Sequence, residues 1–105
     1  MMQQKAAFSI GQIIRHVKYN YRGVIVDIDP IFSAPDEWYE AIAASRPPKD
    51  KPWYHVLVDD GNMQTYVAEQ YLLPDESDEP INHPYVEMFF SGFDRDHYVS
   101  RQSIN

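Results

Sequence analysis

The sequence predicts a mainly β chain: one small curled barrel with a helical insert and a short C-terminal helix. Two pairs of extended segments carry that reading, residues 12–17 with 23–29 and residues 53–59 with 63–68, each pair joined by a short polar turn. Between the pairs, residues 30–52 lose the period-two alternation and change composition, which marks an insert. Length adds a third constraint, since 105 residues bury one core and fall short of a second. The expectation is a single domain over 8–98, with 30–52 as a flap and 74–98 as an acidic linker and aromatic extension. Small barrels hold ligands, so a binding module is expected over an enzyme.

In the first extended segment Ile13 and Val17 share a face with Arg15 while Ile14 points the other way, as on a curved edge. Lys18 to Arg22 make the turn, where Asn20 and Gly23 best tolerate left-handed backbone. Val24, Val26 and Ile28 are expected on the inner face of the next strand, with Ile25, Asp27 and Asp29 outward. Pro30 ends the ladder because it has no amide donor.

Ser33, Pro35, Asp36 and Glu37 suit the start of a helix over 35–44, with Trp38, Ala41, Ile42 and Ser45 on one stripe. Arg46 to Pro52 hold three prolines and form a stiff connector, so the insert reads as a lid or partner-contacting flap. In the second pair Gly61 is expected to supply the turn geometry. Tyr54, Val56 and Val58 share one face there, and Trp53, His55 and Leu57 the other. Both faces are apolar, so the core covers one and the insert helix or the C-terminal segment the other.

Tyr71, Leu72 and Leu73 add a short strand before the acidic linker at 75–79. Asn82 then caps a helix bearing Tyr85, Val86, Met88, Phe89 and Phe90, which Gly92 stops. That segment is expected to dock on the barrel, and residues 100–105 to fray.

Composition narrows the function. The chain is 44% apolar, which argues against wholesale disorder, and it has no cysteine, which removes disulfides and thiol chemistry. Neither a membrane-length apolar run nor a secretory leader is read, so a cytoplasmic setting is expected. The net charge of −7 is uneven: residues 1–22 carry four cations and no acid, residues 23–105 five cations against sixteen acids. Phosphate wrapping needs more cations than that, although the N-terminal patch suffices to touch one backbone segment.

No catalytic constellation is read. The glycines are isolated, and the serines fall in ends, loops or caps rather than on a sharp element. His16, His55 and Asp27 would make a metal or acid–base site only if barrel closure joined them, and no ligand spacing supports it. The carboxylate pairs Asp27/Asp29 and Asp59/Asp60 read as exposed acids at strand ends and turns. No metal ligands and no cofactor are therefore assigned.

A binding surface is better supported. Arg15, Lys18 and Arg22 stand beside Tyr19 and Tyr21 as candidate DNA contacts, with rings to stack on bases. Trp38, Trp53, Tyr54, Tyr66 and Phe90 are candidate protein contacts. The same rings equally suit an ordinary small core.

Four blocks give the chain a resemblance: Phe8 to His16, Tyr21 to Pro30, Pro52 to Val58, and Thr65 to Glu69 followed by Leu72. In this order and spacing they resemble the HspQ heat-shock family, also called YccV-like or hemimethylated-DNA-binding proteins. The resemblance implies an SH3-like barrel without a catalytic role, in agreement with the strand reading. It implies a heat-stress adaptor that promotes degradation of denatured or selected proteins by an ATP-dependent protease, or alternatively a module recognising hemimethylated DNA. The partners implied are that protease, its denatured clients and hemimethylated DNA, with homo-oligomerisation open and no membrane. The aromatic stretch from Asn82 to Phe93 departs from the better-known polar, charged tail, and suggests a separate branch.

Overall fold

Runs of β-branched residues buried on both faces make β1 (Ile13–His16) and β2 (Arg22–Asp29), followed by α1 (Asp36–Ile42), β3 (Trp53–Val58) and β4 (Gln64–Ala68). A 3-10 turn over Glu69–Tyr71 leads to β5 (Leu72–Pro74), and α2 (Val86–Phe89), β6 (Phe90–Asp94) and β7 (His97–Ser100) complete the chain. This computed structural model describes residues 5–42 and 45–101, so the expected helix end at 43–44 and the fraying at 102–105 lie outside the described residues.

The central sheet has the order β4-β3-β2-β1-β5 with antiparallel neighbours throughout. Val67 on β4 and Leu72 on β5, from opposite edges of that order, enter one buried cluster with Phe8, Ile14, Ile25, Tyr54 and Val56. The sheet therefore curls on itself. It does not close: β4 and β5 share no ladder, and the expected barrel is corrected to an open, curled sheet. The 3-10 turn joins the two edges.

A bulge sets which side chains face that cluster. Ile25 pairs with Val56 but Asp27 with His55, so Val26 is an extra residue on β2. The shift brings Ile28 to the Ile25 side, while Val24 and Val26 join the opposite cluster. Simple alternation puts Ile28 with Val24 and Val26. The bulge instead spares the first cluster two carboxylates, turning Asp27 and Asp29 to the face of His55.

The second correction concerns the C-terminal end. The expected helix is one turn, α2, after which the chain enters the β6–β7 hairpin and ends in a strand. Phe90 is extended at φ −131° and ψ 145°, and Phe90 and Tyr98 are buried while Ser91 and Val99 are exposed, a period of two rather than 3.6. Met88 of the expected helical stripe is 67% exposed.

The hairpin docks as expected of this segment. Phe90 and Tyr98 join Ile81 in covering Ile13, Val24, Val26 and Leu57 on the second face of the sheet. Gly11 makes the docking possible. It sits at φ 93°, its carbonyl accepts from Tyr98 N at 2.8 Å, and a Cβ there would lie 2.3 Å from Tyr98 O.

Two turn glycines have other roles than expected. Gly23 lies within β2, where a Cβ would meet Val56 Cγ1 at 2.5 Å and Leu57 O at 2.7 Å. Left-handed backbone falls on Asn20 (φ 59°), as expected, and on Asp60 (φ 65°) rather than Gly61. Asp60 is held there by its N–H donating to Asn82 O at 2.9 Å.

The insert packs against one end of the sheet. Tyr39 of α1 is buried, whereas Ala41 of the expected stripe is exposed. Tyr39 Oη donates to Pro47 O at 2.7 Å and Trp53 Nε1 to Pro48 O at 3.0 Å, so the proline-rich connector is a fixed strap. Among the described residues, no helix is long and apolar enough to cross a membrane.

Candidate functional site: an aromatic groove along a free strand edge

Among the described residues β4 pairs only with β3, so one edge of it is unpaired. A groove of about 660 Å³ lies against it. Six consecutive residues, Met63 to Ala68, line this groove. Side chains of a strand alternate between faces, so six in a row reach one groove only where the strand presents its edge. The opposite wall of the groove is the β1–β2 turn with His16, Lys18, Tyr19 and Tyr21, and Trp38 and Tyr71 stand beside them.

His16 shapes the turn wall. Its buried Nδ1 accepts hydrogen bonds from the backbone amides of Lys18 and Tyr19, both at 3.1 Å. Burial, assisted by the Lys18 charge, lowers the imidazole pKa, which keeps that nitrogen free to accept. Its ring stacks on Tyr71 at 5.7 Å and lies 4.8 Å from Tyr19, which is 67% exposed. Tyr21 reaches over to β4 with a 2.8 Å hydrogen bond to Thr65 Oγ1. Ser45 Oγ and the Tyr71 hydroxyl are also hydrogen-bonded, which ties the insert to the same wall.

At the other end Tyr66 is held through its hydroxyl, which donates to Asp29 Oδ2 at 2.7 Å and accepts from Ser33 N at 3.0 Å. Burial and the Asp29 carboxylate push the phenol up to about 12. His55 Nε2 lies 3.1 Å from the same Asp29 oxygen. Phe32 and Trp38 of the insert pack near Trp53 and Tyr66, with ring centroids 4.9–6.1 Å apart.

The structure thus brings two sets of sequence candidates together. Lys18, Tyr19 and Tyr21 line the same groove as Trp38, Trp53 and Tyr66. Tyr54 and Phe90 stand elsewhere: Tyr54 is fully buried, its hydroxyl donating to Glu69 Oε2 at 2.5 Å, and Phe90 lies under the C-terminal hairpin.

Arg15 and Arg22 are engaged within the molecule. Arg22 donates from Nε to Asp75 Oδ2 at 2.9 Å, from Nη1 to Asp59 Oδ2 at 3.1 Å, and from Nη2 to Glu79 O at 2.5 Å. Arg15 donates to Asp75 Oδ1 at 3.1 Å and to Asn20 Oδ1 at 3.0 Å. Burial works to raise the Asp75 pKa, but hydrogen bonds from Ser77 and Arg22 outweigh it and hold the carboxyl below its usual range. The acidic stretch is therefore pinned to the first hairpin at Asp75.

Of the His16–His55–Asp27 combination, only His55 and Asp27 meet, and Asp29 is the third member in place of His16. Among the described residues no serine hydroxyl is hydrogen-bonded to a histidine. Sequence reasoning passed over Met63, Thr65 and Tyr71 as groove residues. Tyr71, expected to open the strand of residues 71–73, instead ends the 3-10 turn just before β5. Only the chain path from β4 to β5 places it.

A family model described as hemimethylated DNA-binding protein YccV like matches residues 6–97. The matched span takes in the whole central sheet, the insert, the groove and the β6 strand. The chain belongs to the YccV-like family.

Proposed function

We propose that this chain is a non-catalytic DNA-binding module that takes a base, turned out of its stack, onto the aromatic walls of the β4-edge groove. The observation that carries the reading is the lining itself: Tyr19, Trp38, Tyr66 and Tyr71 surround a space with Lys18 at its side. Aromatic faces stack on any base, and a methyl group on a base adds apolar surface for them to cover. The family description supports DNA as the polymer and the hemimethylated duplex as the preferred form.

The charge pattern makes the reading specific. Among the described residues Lys18 is the lysine or arginine that lines the groove, and Arg15 and Arg22 are bound to acids. Affinity then comes from stacking more than from phosphate neutralisation. A single phosphate contact gives a slope of log K against log salt of about −0.9. The test is a fluorescence titration of hemimethylated, fully methylated and unmethylated duplexes at several salt concentrations. The expected result is tightest binding to the hemimethylated duplex with a shallow salt slope. Equal, negligible affinity for all three would end the proposal.

A second reading is a heat-stress adaptor that delivers denatured clients to an ATP-dependent protease. It is favoured by the unpaired β4 edge beside the groove, where an extended apolar peptide can add as a strand. It expects salt-tolerant binding of a denatured client and faster client turnover by the protease. No capture and unchanged turnover would remove it.

A further inference from the structure

Asp27, Asp29 and His55 converge on one face of the β2–β3 pair, each offering a ligand atom within 4.8 Å of the others. Antiparallel register sets Asp27 directly opposite His55, and the bulge at Val26 turns both carboxylates to the side of the imidazole. Without the extra residue, Asp27 and Asp29 would fall on the face of Ile25 and His55 would have no acid beside it. We propose that this triad binds a first-row divalent metal ion, with zinc as the best match.

One imidazole nitrogen with two carboxylate oxygens is a borderline donor set, better suited to zinc than to magnesium or calcium, which favour all-oxygen sites. Three protein ligands leave coordination positions for water or for an incoming anion. Asp29 is held in place by its neighbours: Tyr66 Oη donates to its Oδ2 at 2.7 Å, and Ser33 N in turn donates to Tyr66 Oη at 3.0 Å. Outer partners of this kind fix a ligand's direction before the ion arrives. Asp27 is exposed and the other two are half-buried, so the ion has a path from solvent.

The site stands independently of the nucleic-acid reading but bears on it. His55 and Tyr66 line the groove, and the Asp29 carboxylate bonded to both has the wrong sign for a phosphate. A bound divalent ion neutralises the two carboxylates and offers the phosphate an open coordination position.

The experiment is calorimetric titration of the full chain with zinc, with the His55 imidazole resonances followed by NMR. One equivalent should bind and shift or broaden those resonances. D27N and H55Q should abolish the event or weaken it at least about tenfold, with far-UV circular dichroism unchanged. Y66F, which keeps all three ligands, should weaken it by about tenfold, the effect of losing an outer partner. H97Q, at the exposed Asp96–His97 pair, should bind as the parent does. Absence of binding at millimolar zinc, binding that survives H55Q, or magnesium bound as well as zinc would each overturn the proposal. A metal-loaded chain that still ignores every DNA duplex would leave the zinc site standing and count against the groove's proposed ligand.

Discussion

The second face of the sheet and the free edge of β4 are both built from aromatic residues, yet they end in opposite states. Under the C-terminal hairpin, Phe90 and Tyr98 are buried with Ile13, Val24 and Leu57, and Tyr98 Oη accepts from Ile81 N at 2.8 Å. Along β4, Tyr19, Trp38, Tyr66 and Tyr71 surround a space that no other part of the described chain fills. Residue type does not separate the two regions. Strand pairing does: a hairpin covers one face, whereas the β4 edge meets no strand.

The comparison is broken most severely from the covered side. Phe90→Ala removes a ring that is 2% exposed, and the cavity left behind should cost about 3–5 kcal/mol in chemical denaturation. If the groove is a separate functional surface, the molecules that remain folded should bind ligand as before. A loss of binding at denaturant-free, fully folded conditions would show that the hairpin and the groove act as one unit.

Asp75→Asn comes next and tests whether the charged groups belong to the fold. The Asp75 side chain is 2% exposed between Arg15 and Arg22. Arg22 keeps Asp59 and Glu79 O and the 40% exposed Arg15 keeps Asn20, so losing the charged acceptor should cost about 1–2 kcal/mol. The sign with pH follows from the lowered carboxyl. Its contribution is present above the ordinary aspartate range and is lost as pH falls through the lower, folded value. Urea midpoints measured from neutral to acid pH should therefore fall more steeply for the parent than for the variant. Parallel profiles would mean the ion pairs carry little of the stability.

Much of this contrast was legible in the residues. β-prone runs over 12–17, 23–29, 53–59 and 63–68, each bounded by turn residues, located four strands. The docking of the aromatic tail also followed from its composition. Three things did not. The bulge at Val26 depends on pairing with Val56 and His55, and nothing local to β2 announces an extra residue. Barrel closure is a relation between β4 and β5, two edges whose separate patterns carry no record of whether they meet. The tail's change from helix to hairpin depends on Gly11 receiving Tyr98, a contact between positions far apart in the chain.

The candidate site was legible by residue and not by place. Tyr19, Tyr21, Trp38, Trp53 and Tyr66 were assigned to two different surfaces, and the fold puts them around one groove. Arg15 and Arg22 read as a basic patch because their acceptors, Asp59 and Asp75, arrive from later in the chain. A charge count over a segment cannot see a partner dozens of residues away.

The smallest change sharpens the comparison furthest. Tyr19→Ala removes a ring that is 67% exposed and rests at the edge of His16 and Lys18, so unfolding free energy should move by no more than about 0.5 kcal/mol. The backbone amides of Lys18 and Tyr19 still donate to His16 Nδ1 in the variant, which preserves the turn. Binding is a different matter, because a ring stacked on a base contributes about 1–3 kcal/mol. Affinity for the preferred duplex should fall by about tenfold or more while the denaturation curve overlays the parent's. The reverse outcome, lost stability with unchanged affinity, would make Tyr19 a part of the fold like Phe90. The groove would then be a gap in the sheet rather than a surface that receives a partner.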